Sequence, residues 1–348
     1  MGVSKGPGVN SLRGFGMTPS EGNMEGTLDR PMPAADSKPL DTLLQECRKV
    51  IVGQPHLLNR LLVALLVPGH VLLEGLPGLA KTRTVKTLAA ASHLAFRRVQ
   101  FTPDLLPSDV MGTLVFDPRS LTFTPRKGPV FTNLLLADEI NRAPSKVQSA
   151  LLEAMEERQV TLGEDSFPLP DPFLVLATQN PLEQEGTFPL PEAQMDRFLF
   201  KLKVDYPNAQ DEGEVLRRAG GAEEPVVPVV SGPEILEAGR RAREVRLDEA
   251  IRAYIVRLVQ ATRPGPGRSW KGREMLRYGA SPRASLALQA AAKALAWLQG
   301  RDHVLPDDVT ALAPDVLRHR LLLTFESEAD GATTDELVAA LLAAIPRP

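Results

Sequence analysis

Several large classes of protein are excluded by what this chain lacks. It carries one cysteine, Cys47, in 348 residues, so no intramolecular disulfide can form. That usage suits a reducing compartment, because small secreted folds depend on several cysteines. Neither charge is in excess: 40 Lys and Arg stand against 43 Asp and Glu, a formal net charge of -3. No global positive field draws such a chain toward nucleic acid or an anionic membrane, so nucleic acid is not its default partner. No apolar run approaches the roughly 18 residues of a membrane span; the run from Leu61 to Val67 stops at Pro68-Gly69. The segment from Met1 to Asp36 is rich in Gly, Pro, Ser and Met and has neither the basic start nor the apolar stretch of a secretory signal. A flexible tail over residues 1–38 and a cytoplasmic protein without a membrane span are the expectations.

What is present is ordinary globular usage, 43% apolar and 24% charged, in a chain long enough for two cores. From Leu40 to Leu66 the apolar residues recur at helical spacing on either side of Val52-Gly53-Gln54, which predicts two helices broken at the glycine. Short apolar runs at 71–74, 96–101, 134–138, 174–177 and 198–204 predict five strands, and helical patterns at 82–91 and 145–157 fall between them. Such alternation implies an α/β fold with a parallel sheet covered on both faces and a ligand site at the strands' carboxyl ends. Alternating residues at 113–116 and 121–124, around a turn at Asp117-Pro118-Arg119-Ser120, predict a hairpin that interrupts this rhythm, and 159–169 predicts a second. Beyond Pro207 the strand signals fade into Ala- and Leu-rich helical segments at 210–219, 233–245, 248–262, 284–299 and 306–317. The expected organisation is an α/β core over 39–207 and a small all-helical domain over 208–348.

Phosphate chemistry makes the tightest demands on this sequence. Gly75-Leu76-Pro77-Gly78-Leu79-Ala80-Lys81-Thr82 joins a predicted strand to a predicted helix. Its glycines let backbone N–H groups turn toward phosphate oxygens, the helix N-terminus adds partial positive charge, Lys81 reaches the β- and γ-phosphates and Thr82 can ligate Mg2+. Glycine is usual before the lysine; Ala80 is tolerated there if its φ is negative. Leu134-Leu135-Leu136-Ala137-Asp138-Glu139 ends an apolar strand in adjacent carboxylates. Asp138 would hold Mg2+ and Glu139 would orient and deprotonate the attacking water. Asn180, after the strand ending Ala177-Thr178-Gln179, is placed either to sense the γ-phosphate or to cap the turn before Pro181. Arg197 follows a short helix and would project to a neighbouring subunit. Arg283 follows Ser281 and Pro282 at a helix start, aimed at the γ-phosphate of its own chain. Solvated surface positions are the competing reading for both.

Longer strings carry a family resemblance. Gln100-Phe101-Thr102-Pro103-Asp104-Leu105-Leu106-Pro107-Ser108-Asp109, Asp138-Glu139-Ile140-Asn141-Arg142-Ala143-Pro144, Ser149 through Glu157, and Ala177-Thr178-Gln179-Asn180-Pro181 through Phe198 resemble the MoxR subgroup of AAA+ ATPases, over about Leu40 to the C-terminus. The family commonly has alanine where Ala80 stands. The resemblance implies an AAA+ core with a helical lid, in a ring that is usually a hexamer, with ATP and Mg2+ between subunits. It implies Walker A at Lys81 and Thr82, Walker B at Asp138 and Glu139, sensor 1 at Asn180, an arginine finger at Arg197 and sensor 2 at Arg283. Val52-Gly53-Gln54 matches the segment beside adenine, and the hairpin over 113–124 the insertion in helix 2, which usually faces the pore or the substrate. A chaperone that remodels a client protein, with a separate von Willebrand factor A domain partner, is the implied function. The alternatives are a nucleic-acid motor, drawn from Arg97-Arg98, Arg126-Lys127, Arg240-Arg241 and Arg243, and an ATP-gated scaffold, against which Asp138, Glu139 and Arg197 argue.

Overall fold

The computed structural model describes residues 1–2, 38–75, 79–180, 186–219, 221, 224–264 and 270–348. Of an N-terminal unit, Met1–Pro31, only the first two residues are described, so the expected tail lies almost wholly outside the described residues; everything below concerns the second unit, Met32–Pro348. In chain order its first part runs α1 (Lys38–Val50), α2 (Pro55–Leu66), β1 (His70–Gly75), α3 (Lys81–Ala91), β2 (Phe96–Gln100), α4 (Pro107–Met111), β3 (Gly112–Asp117), β4 (Thr122–Lys127), β5 (Leu134–Asp138), α5 (Ser145–Glu157), β6 (Gln159–Leu162), β7 (Asp165–Pro168), β8 (Leu174–Gln179), α6 (Glu192–Met195) and β9 (Phe198–Val204). Five of these strands form one parallel sheet in the order β2-β5-β8-β1-β9. The two predicted hairpins are β3–β4 and β6–β7.

The central strands are almost continuously apolar because each is buried on both faces, and alternate side chains go to different cores. Val71, Leu73, Leu134, Leu136, Leu174 and Leu176 point to one side, into a core completed by α1, α2 and α3. Leu72, Leu135, Ala137, Val175 and Ala177 point to the other, against Leu151, Leu152 and Met155 of α5 and Val110 of α4. At the edge, β2 has Arg97 and Arg98 exposed, as a strand paired on one side only can tolerate. The β3–β4 hairpin projects with Phe116, Leu121 and Phe123 exposed, and the Phe116 and Phe123 rings lie 5.2 Å apart.

After β9 the chain is mainly helical, and the expected all-helical reading of 208–348 is corrected by one short strand pair: α7 (Ala209–Ala219), α8 (Gly232–Glu244), α9 (Glu249–Ala261), then antiparallel β10 (Leu276–Tyr278) and β11 (Leu322–Leu323) enclosing α10 (Pro282–Leu298) and α11 (Pro306–Leu317), and finally α12 (Phe325–Ala329) and α13 (Thr334–Ala344). The helical part adds its own apolar residues, among them Ile235, Trp297 and Leu341, to the first of the two cores. A buried ion pair crosses the same junction: Asp315 of α11, 2% exposed, takes Arg60 of α2 at 2.7 Å, and within the helical part it also takes Arg318 at 2.8 Å. Burial pushes this carboxyl up, but the hydrogen bonds and charges of His56 and Arg60 outweigh it and hold it below its ordinary value. Cys47 is fully buried and its thiol is pushed up to about 12 by desolvation, which leaves it inert. Among the described residues no helix is long and apolar enough to cross a membrane.

Candidate nucleotide-binding site

The sheet register brings the polar residues predicted for catalysis to one edge. Gly75 ends β1 beside Val204, Glu74 pairs with Gln179, and Gln100 pairs with Asp138. A Cβ on Gly75 would stand 2.7 Å from the Val204 carbonyl oxygen, so only glycine permits this approach of β1 to β9. Leu76, Pro77 and Gly78 lie outside the described residues. From Leu79 the chain enters α3, whose first residue is Lys81. Lys81 Nζ donates to the Gly75 carbonyl at 2.5 Å; burial lowers its pKa, while the charges of Asp138 and Glu139 act the other way.

Ala80 corrects an expectation. Its φ is +55°, in the left-handed region, and not negative. An L-residue there costs roughly 1–2 kcal/mol that glycine would not, so backbone strain is held at the residue that precedes α3.

One hydroxyl ties the Asp138 carboxylate to the Glu139 backbone. Thr178 Oγ1 donates to Asp138 Oδ1 at 2.6 Å and accepts from the Glu139 N–H at 2.8 Å. Glu139 itself has φ +56°, which turns its side chain off the end of β5. Its Oε2 accepts from Gln100 Nε2 at 2.7 Å and pairs with Arg142 at 3.1 Å. Arg98 donates twice to Asp138 Oδ2, at 2.6 and 3.1 Å. Arg98, Asp138, Glu139 and Thr178, together with Lys81, Thr82 and Asn180, line a cleft of about 370 Å³. Asn180 is buried at its rim. Gln148, fully buried, donates to the carbonyls of Ile140, Ala143 and Phe188 and so pins the turn that follows Glu139.

A second cleft, about 550 Å³, lies between Ile51-Val52-Gly53 and α7. Gln54 joins the two: its Nε2 donates to the Leu79 carbonyl at 3.0 Å. Gly53 has φ +67°, and a Cβ there would meet the Asp211 carboxylate at 2.6 Å. The predicted adenine segment thus abuts the end of the phosphate loop.

Arg197 and Arg283 are elsewhere. Both reach Glu156, in the last turn of α5: Arg197 Nε at 2.7 Å, in ion-pair contact without hydrogen-bond alignment, and Arg283 Nη2 at 2.5 Å. Their cleft is also lined by Gly69 and His70, at the amino end of β1, whereas the phosphate loop follows its carboxyl end. The five residues between correspond to about 16 Å of strand at ~3.3 Å per residue. The expected contact of Arg283 with the γ-phosphate of its own chain is therefore corrected: Arg283 is grouped with Arg197, away from Lys81. The local geometry foreseen for it does hold, with Ser281 as N-cap accepting from the Arg283 N–H and Pro282 in the first turn.

Comparison with known proteins decides the family. Residues 70–200 match the model of the ATPase family associated with various cellular activities, and residues 272–341 match the AAA lid domain. The chain is 47% identical to the chaperone MoxR1 of Mycobacterium tuberculosis over 321 residues, 90% of this chain and 84% of that one. It belongs to the MoxR family of AAA+ ATPases. A more distant MoxR relative, protein MoxR of Methylorubrum extorquens, is 33% identical over 87% of this chain and 94% of its own. The MoxR fold extends to a crystal structure from Cytophaga hutchinsonii, at TM-score 0.84 and 46% identity over 90% of this chain and 96% of that one. Four residues that shape this MoxR site, Arg98, Gln100, Gln148 and Thr178, receive no role in it from motif reading, which offers Arg98 only as part of a basic pair. For two of them a signal exists: Arg98 and Gln100 are two apart on β2 and so share a face, which becomes informative once β2 is placed beside β5.

Proposed function

We propose that the chain binds Mg-ATP in the cleft between Lys81 and Asn180 and hydrolyses it at the subunit interfaces of a ring, most simply a hexamer, to remodel a client protein. The observation that carries this reading is the separation of the two halves of the catalytic apparatus. Lys81, Thr82, Asp138 and Glu139 converge at one edge of the sheet, while Arg197 and Arg283 sit together at the opposite edge. A complete site then needs two chains. Both arginines serve the neighbour's γ-phosphate, and neither serves their own.

Within this reading, Val52, Gly53 and Gln54 border the base and Gly75 through Thr82 cradle the phosphates. The Thr82 hydroxyl and Asp138 are hard oxygen donors of the kind Mg2+ accepts alongside phosphate oxygens and water. Held by Thr82 and Asp138, such an ion would supply positive charge to offset the charge that develops on the phosphates during hydrolysis. Glu139 takes the proton of the attacking water, Asn180 reports the γ-phosphate, and Arg197 and Arg283 stabilise the charge on the departing phosphoryl group. Residues 39–207 serve as the ATPase core and 208–348 as the lid. A chaperone role is supported by the kinship with the chaperone MoxR1; a cytoplasmic setting and a separate von Willebrand factor A domain partner complete the proposal.

The test is Glu139→Gln. It retains ATP binding, turns over about a hundredfold to ten-thousandfold more slowly, and, loaded with ATP in cell extract, captures the client for identification. Turnover equal to that of the parent would remove Glu139 as the base.

A further inference from the structure

Glu156 lies outside the catalytic roles assigned above, yet it is the single group that both arginines touch. One carboxylate oxygen faces Arg197 Nε and the other faces Arg283 Nη2. The backbones are tied as well. The Arg283 N–H donates to Ser281 Oγ, which donates to Asp196 Oδ2 at 2.8 Å, and Asp196 immediately precedes Arg197. Asp196 is braced in turn by the nearly buried Arg320, at 2.8 Å. Three guanidiniums against two carboxylates leave this cluster one positive charge. Two like charges would otherwise push apart, and the bridging carboxylate removes that repulsion while engaging Arg197 through Nε, on the side away from its terminal fork. The fork is the part of a guanidinium that matches phosphate oxygens.

We infer that Glu156 is a positioning residue for hydrolysis on the neighbouring subunit: it holds Arg197 and Arg283 at one spacing, as a preassembled pair for the γ-phosphate. The inference rests on the two-chain site proposed above. A loosened arginine pair should cost catalysis and leave ATP affinity alone, because displacements of about 1 Å in a positioning group cost up to ~100-fold in rate.

Mixed rings test it. Lys81→Ala subunits retain the arginine pair but have no working phosphate loop; Arg197→Ala subunits retain the loop but have a broken pair. Hydrolysis in the mixture reports arginines acting across the interface. Glu156→Gln, which keeps the side-chain shape, is then added to one partner at a time. In the Lys81→Ala partner it should lower the rescued kcat at least tenfold with KM for ATP unchanged within twofold. In the Arg197→Ala partner, whose pair is already broken, it should change the rate less than twofold. Equal losses in both placements would mean a general structural role, and no loss in either would mean no role; both overturn the inference. A parent mixture with no hydrolysis overturns the two-chain reading and the inference with it, and is told apart because it appears before Glu156 is touched.

Discussion

The two ends of β1 are built by different means. At the carboxyl end, Gly75, Lys81 and Thr82 are near neighbours in sequence, and the carboxylates follow directly from an apolar strand. Backbone conformation does most of the placing, including the left-handed Ala80 and Glu139. At the amino end, Glu156, Arg197 and Arg283 come from three distant segments, and tertiary packing alone assembles them. A local site can be read from a motif. An assembled one cannot, because nothing in the spacing from 156 to 283 encodes contact.

Breaking the amino end should have the largest effect. Arg197→Ala is expected to lower ATP hydrolysis about a thousandfold or more while a fluorescent ATP analogue binds as to the parent; a matching loss of binding would place Arg197 in its own chain's site. The opposite contrast holds for Lys81→Ala in the mixed rings, where binding is the property lost.

Acid should also act first at the amino end. His70 Nε2–H donates to the Met155 carbonyl at 3.1 Å, while its Nδ1 accepts from the Val175 N–H at 3.0 Å, which fixes a neutral ring. Desolvation, with Arg158 nearby, lowers its pKa from 6.5 to about 3. Buried His319, bonded to the Phe198 carbonyl, is lowered too, again by desolvation first. Both folded pKa values lie below the unfolded one, so the unfolded chain binds more protons in between. Their contribution is complete above about pH 6.5 and declines as pH falls below it, for His70 down toward about 3, by up to ~1.4 kcal/mol per pH unit for each histidine that the fold keeps neutral. Urea unfolding between pH 7 and 5 should show that slope, and His70→Gln should flatten it by about half. An unchanged slope would mean that His70 is protonated in the fold.

The smallest effect sharpens the carboxyl end. Ala80→Gly relieves a left-handed alanine and should raise stability by about 1 kcal/mol, read as a higher midpoint in the same urea titration. A lower midpoint would contradict the positive φ.

Legibility follows the same division. The five sheet strands agree with their predicted spans within two residues, because strands buried on both faces leave uninterrupted apolar runs. β10 and β11, three and two residues long, are too short to show a period. α13 carries a legible start signal, a capping box of Thr333 and Glu336 ahead of an apolar run. Ala80 shows the limit for a single residue, since its φ is imposed by how the loop must meet α3. Thr178 shows it for a side chain, because a threonine inside a strand is unremarkable until the neighbouring strand ends in Asp138.

The alternation of strand side chains between two cores has a consequence for how the molecule comes apart. Val71, Leu73, Leu134 and Leu176 share a core with the helices of the lid, whereas Leu72, Leu135 and Val175 share theirs with α4 and α5. Adjacent residues on one strand therefore pack into different clusters, and among the described residues the lid's apolar side chains run on into those beneath one face of the sheet. Core and lid are accordingly expected to unfold in one transition.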